Sequence, residues 1–151
     1  MRAARERVVE LRIVQGDIAD TGAGALVLGL FRNVDPSGAS NAIDARLGGT
    51  IREFVRRRMF AAGVGQVTTL PVAPGRLRAG LVVLAGLGDF DDFGADAQSF
   101  VAGNVVRSLS RAGVGDFATV LFGSGSGVPV AAAGEQQLGG FVAGLSDADP
   151  D

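Results

Sequence analysis

The groups that could do chemistry in this chain are few in kind. Gly123-Ser-Gly-Ser-Gly127 follows an apolar run and precedes a helical pattern. A glycine-rich turn placed there exposes several backbone N–H groups to an anion. Its spacing is neither GxxxxGK[ST] nor GxGxxG, so a plain strand–helix connection is the competing reading. Ser124 and Ser126 carry hydroxyls, but a nucleophilic serine needs a neighbouring base. The 151 residues contain no His, Lys, Cys, Tyr or Trp, and all 14 basic residues are Arg. Those absences also exclude thiolate and Schiff-base chemistry, disulfides and a Cys/His zinc site. Sixteen carboxylates remain, and no spacing singles out a pair for acid–base work. Three of them lie in Asp89-Phe-Asp-Asp-Phe-Gly94, a run without the length or ligand positions of an EF-hand loop. Arg56-Arg57-Arg58 reads as an anion or partner site, or as a solvated helix face. Neither a metal nor a cofactor is expected.

The elements that must position these groups follow from periodicity. Val9, Leu11 and Ile13 alternate with Glu10 and Arg12, the period of a half-buried strand, and Gln15-Gly16-Asp17 turns the chain. Ala25–Phe31 is a continuous apolar run, as expected of a strand buried on both faces. Asp35-Pro36 predicts an N-cap and first helical residue, with Ala39, Ile43 and Leu47 on one face and Gly48-Gly49 as the stop. Thr50-x-x-Glu53 predicts a capping box on a second helix with Ile51, Phe54, Val55 and Met59 as its stripe. Gln66–Val72 and Leu81–Gly86 are expected strands joined at Pro74-Gly75. Asp96 opens a helix with Val101, Val105 and Leu109 on one face, closed by Gly113 and Gly115. Phe117–Phe122 is a last expected strand. The final helix follows Pro129, with Leu138, Phe141, Val142 and Leu145 as its stripe. Its four glycines, at 134, 139, 140 and 144, imply close packing on this sheet or on a neighbouring domain.

Strands alternating with helices place the chain in the α/β class, with a mixed sheet between helical layers. One domain over residues 1–146 is expected, with residues 147–151 as the start of a linker or tail. The formal charge of −2 argues against a nucleic-acid partner or a polybasic membrane anchor. Its distribution is uneven: residues 1–58 carry ten Arg against seven acids, and residues 89–151 carry nine acids against two Arg. The N-terminus lacks a signal-peptide core, and no apolar run approaches a membrane span, so a cytoplasmic location is the expectation.

Several stretches also carry a resemblance. Gln15-Gly-Asp-Ile18, Ala25–Phe31 and Asp35–Gly49 resemble the opening of a macro domain. Gly24-Ala-Leu-Val-Leu-Gly-Leu-Phe31 with Asn41-Ala-Ile-Asp-Ala-Arg-Leu-Gly-Gly49 is closer still to the macro-like N-terminal domain of leucyl aminopeptidases. Gly65–Pro71, Gly80–Gly88 and Ala95–Gly113 are similar to that family's next two strands and helix. The resemblance implies a three-layer α/β/α macro-domain-like fold with a mixed, mostly parallel sheet. In that family the metals and peptidase residues lie in a separate C-terminal domain, so the implied role is a non-catalytic accessory or interaction domain in assembly or regulation. Its implied partner is another domain of a parent protein or a second copy.

The macro-domain side of the resemblance implies an alternative, a sensor for ADP-ribose or a related nucleotide. Asp17 and Ile18 would then match the adenine-contacting motif. Asn33 and Gly38 would stand near the first phosphate loop, and Gly123, Ser124, Gly125, Ser126 and Gly127 would form the second. The sequence departs from that pattern where Gly29-Leu-Phe-Arg-Asn33 replaces Asn-Ala-Ala-Asn, and where Asp35-Pro-Ser-Gly38 shortens the first loop.

Overall fold

A computed structural model describes residues 9–123 and 130–148. Its centre is two apolar strands, β1 (Ala25–Leu30) and β3 (Leu81–Gly86), paired in parallel from Ala25↔Leu81 to Leu30↔Gly86. β2 (Val67–Pro71) lies antiparallel on the far side of β3, and the short β4 (Phe117–Thr119) is parallel on the far side of β1. The order is β2-β3-β1-β4, a mixed and mostly parallel sheet. The helices are α1 (Ala39–Arg46), α2 (Thr50–Arg56), α3 (Ala95–Arg111) and α4 (Val130–Ala148).

Alternation along the strands divides the core in two. Leu26, Leu28, Leu30, Val82 and Leu84 pack with Ile43 and Ile51 of α1 and α2 and with Phe60. Ala25, Val27, Val83 and Ala85 pack with Val101, Val105 and Leu109 of α3 and Phe141 of α4. The result is the expected three-layer α/β/α arrangement.

Local differences from the sequence reading have physical reasons. Val9–Ile13 has the alternation of a strand but forms none, and Ile13 is 96% exposed. A strand needs a paired neighbour, and no strand among the described residues takes this segment. α1 starts at Ala39 and not at Pro36, because Gly38 (φ 55°, ψ −125°) is its N-cap, and its carbonyl accepts the first helical bond from Ala42 N–H.

The capping box at Thr50 is also replaced. Asp44, buried at the end of α1, reaches across, and its carboxylate accepts from Ile51 N–H (2.7 Å) and Arg52 N–H (3.2 Å). That satisfies two of the donors every helix N-terminus leaves open, and Glu53 turns instead to Arg56 and Arg57. β4 stops at Thr119 because the Gln137 side chain takes the polar groups that follow. Its Nε2 donates to Val120 O (2.9 Å), and its Oε1 accepts from Phe122 N–H (2.8 Å).

In α4 the expected stripe is split: Phe141 is buried, whereas Leu138 and Val142 face outward. The helix instead lays Gly140 and Gly144 on α3. A Cβ on Gly140 would stand 2.5 Å from Ser99 O, and one on Gly144 2.6 Å from Gly103 O. The two backbones meet where only glycine leaves room. α4 also continues through Ser146 to Ala148, past the expected start of a linker.

Candidate functional site

β1 and β3 are neighbouring parallel strands whose chains leave for opposite faces, β1 toward α1 and β3 toward α3. In open α/β sheets that divergence makes the crevice in which ligands bind. Here backbone bonds run on past the strand ends. Leu87 N–H donates to Leu30 O (2.9 Å), and Arg32 N–H donates to Gly88 O (2.8 Å). The loop after α2 joins them, with Gly88 N–H donating to Ala62 O (2.9 Å) and Gly65 N–H to Gly86 O (3.0 Å).

Phenylalanines occupy the adjoining space. The Phe31 ring, at the end of β1, meets Phe90 edge-on at 5.1 Å and Phe93 at 5.3 Å. Such edge-to-face pairs add to the area they bury. The Phe93 ring also rests against Gly123, the first glycine after β4. Gly123 has φ +72°, and any Cβ there would collide with Phe93 Cε1 and Cδ1. The start of the glycine-rich loop is thus covered by an aromatic ring.

Beside the rings lies a shallow cavity of about 430 Å³, lined by Val64, Leu87 and Phe100 and edged by Arg32, Asp89 and Asp96. Arg32 stands 3.6 Å from Asp89, a partly exposed ion pair of small energetic weight. Nothing in this set pairs a nucleophile with a base. Among the described residues no group of three carboxylates is placed to hold a metal ion.

The expected ligand residues are distributed as follows. Asp17 is exposed, and its Oδ1 accepts from Ala19 N–H (2.9 Å), capping the 3-10 turn Ile18–Asp20 just before β1. Ile18 packs into the core on the α1 side. Asp20 pairs with Arg46, and its carbonyl accepts from Arg78. Asn33, with φ 59°, and Gly38 lie on the loop from β1 to α1. Gly123 follows β4 and meets Phe93. Ser124, Gly125, Ser126 and Gly127 lie outside the described residues. No hydrogen bond or ion pair among the described residues links Asp17 with Asn33, Gly38 or Gly123.

Two features at this edge escape sequence reasoning. One is the Phe31–Phe90–Phe93 cluster, in which Phe31 is far in sequence from the other two and no periodic signal joins it to them. The other is the buried amide pair Gln98–Gln137. Gln98 Nε2 donates to Ala133 O (2.9 Å) and to Gln137 Oε1 (3.2 Å), and Gln137 holds the backbone leading to Gly123. A glutamine at the i−4 position to Phe141 was the available hint, since a purely packing helix would carry an apolar residue there.

Comparison with known proteins adds the family. The model of the cytosol aminopeptidase family, N-terminal domain, matches residues 27–144. The protein named "Probable cytosol aminopeptidase" from Halorhodospira halophila is 31% identical over 108 residues, which are 72% of this chain. The chain spans only 21% of that relative's length. The macrodomain of Mycobacterium tuberculosis DarG superposes with TM-score 0.72 at 13% identity, covering 90% of this chain and 91% of that one. Thermosipho africanus DarTG in complex with ADP-ribose gives TM-score 0.61 at 10% identity, covering 81% and 36%. At such identities these two likenesses concern the fold alone.

Proposed function

The chain belongs to the N-terminal domain family of the cytosol aminopeptidases, and from that premise we propose that it is a non-catalytic accessory domain that acts by binding protein in assembly or regulation. The observation that carries this reading is the state of the sheet's C-terminal edge. Its crevice is bridged by backbone hydrogen bonds and flanked by the rings of Phe31, Phe90 and Phe93, and among the described residues no base stands beside a nucleophile. The 108 aligned residues make up only 21% of the relative matched by sequence, so peptidase chemistry on its pattern would reside outside the matched part.

The test is an aminopeptidase assay of the purified chain on aminoacyl substrates with Zn²⁺, Mn²⁺ and Mg²⁺. No turnover is expected. Robust hydrolysis that follows the folded chain through purification would overturn the reading.

Nucleotide binding is the second reading, supported by the likeness of fold to DarTG in complex with ADP-ribose and by the run Gly16-Asp17-Ile18. In this reading Asp17, Ile18, Asn33, Gly38 and Gly123–Gly127 would contact the ligand. The Phe93 ring occupies the Cβ side of Gly123, so a phosphate there would have to approach beside it.

A further inference from the structure

The sheet is open along β4. Among the described residues Phe117–Thr119 pairs only with β1, which leaves the outer row of backbone N–H and C=O groups without a ladder partner. An open edge of this kind is a template for an added strand.

α4 packs on α3 and reaches β4 through Phe141 and the segment just after it through Gln137. Gly140 and Gly144 face α3, while Gln137 and Phe141 face β4, with Phe141 5.3 Å from Phe117. Successive residues turn by about 100° around a helix. Leu138 and Val142 therefore lie one further step round, on the flank away from α3 and next to the side that meets Phe117 of β4. That flank is bare, with Val142 59% and Leu138 39% exposed.

The same chain holds a strand without a sheet. Val9, Leu11 and Ile13 alternate with Glu10 and Arg12, and all three apolar residues stand in water. Arg12 Nε donates to Glu10 Oε1 at 2.7 Å, the i, i+2 contact that two side chains on one face of a strand make. Charge matches as well. Residues 1–14 carry four Arg against two Glu, whereas residues 130–151 carry four acids and no base.

We propose that residues 9–14 of a second copy dock along the β4 edge, with Leu11 and Ile13 under the Leu138–Val142 flank of α4. The exchange is reciprocal, giving a two-fold dimer in which each copy supplies an arm and an edge. Backbone pairing supplies affinity, and alternate side chains fix the register, as in other strand additions. A second copy is the occupant because, among the described residues, no backbone hydrogen bond joins this arm to its own β4, while an identical edge stands open on every other molecule. The inference deepens the interaction-domain reading by naming its surface. A monomer would end this inference and leave the absence of turnover intact.

The chain has no native cysteine, which makes the test clean. Leu11→Cys and Val142→Cys are made separately, mixed and mildly oxidised, with Ile13→Cys covering the alternative register and Met59→Cys on the exposed turn after α2 as control. The expected result is a covalent heterodimer of arm and flank variants in excess over any species containing the control. Sedimentation should show a wild-type dimer that becomes monomeric in Leu11→Asp/Ile13→Asp, a change at exposed positions that leaves the circular dichroism spectrum intact. A wild-type chain that remains monomeric up to its solubility limit overturns the proposal. So does a Leu11→Cys/Val142→Cys double variant that closes only within one chain, which would show the arm on its own edge.

Discussion

The apolar residues of β3 and those of residues 9–14 are of similar types and have opposite fates. Leu-Val-Val-Leu of β3 lies between β1 and β2 with helices on both faces, and Val82, Val83 and Leu84 are wholly buried. Val9, Leu11, Ile13 and Val14 are equally apolar, three of them β-branched, yet they stand exposed. Strand propensity measures fit to a pleated, half-buried surface, so without a neighbour it has nothing to act on. The centre of the sheet owes its order to partners on all sides, and the arm awaits one.

The contrast should first appear as a large difference in stability. Leu84→Ala removes a buried side chain between two layers and is expected to cost about 2–5 kcal/mol in urea unfolding. Ile13→Ala, measured at a concentration where the chain is monomeric, should change it by less than about 0.5 kcal/mol. Comparable losses at both positions would mean the arm is packed within one molecule.

The same logic operates within α4. Gly144→Val drives a side chain into the α3 backbone and is expected to cost about 1–3 kcal/mol. Gly139→Ala points into open space and should stabilise by up to about 1 kcal/mol. Two thermal melts check the opposite signs. Next in size is Asp44→Ala, which leaves Ile51 and Arg52 N–H unsatisfied at the start of α2 and should cost about 1–2 kcal/mol by chemical denaturation.

The smallest effect belongs to Glu53. Hydrogen bonds from Arg56 and Arg57 hold its carboxyl below the ordinary value of 4.5. A folded-state pKa that is lowered contributes stability above the unfolded value, and this is lost as pH falls through the folded one. Wild type should therefore lose slightly more stability than Glu53→Gln on acidification below pH 4.5. Parallel pH–melting curves for the two would remove this role.

Much of the fold was legible in the residues. Ala25–Leu30 and Leu81–Gly86 form the buried strands their unbroken apolar runs predict, and Val101, Val105 and Leu109 share the buried face of α3. The misses come from contacts made across the chain, which local patterns do not carry. Asp44 caps a helix other than its own, Gln137 takes over the end of β4, and Gly140 and Gly144 turn α4 so that Leu138 and Val142 face outward. At the site, Gly123 was visible as part of a glycine-rich loop, but the ring against it comes from Phe93, thirty residues earlier. A motif shows where backbone N–H groups could be offered, and only tertiary packing decides whether a ligand can reach them.

The most direct measurement is a thermal-shift titration of the 151-residue chain with ADP-ribose, ADP, AMP and NAD up to millimolar concentration. A ligand binding only the folded state at 100 times its Kd adds about 2.7 kcal/mol, a plain rise in Tm. With Phe93 on Gly123 and the β1–β3 crevice bridged, the expected result is a flat response to all four. A saturable rise that is lost in Asp17→Ala would contradict the accessory-domain account and establish nucleotide binding in its place.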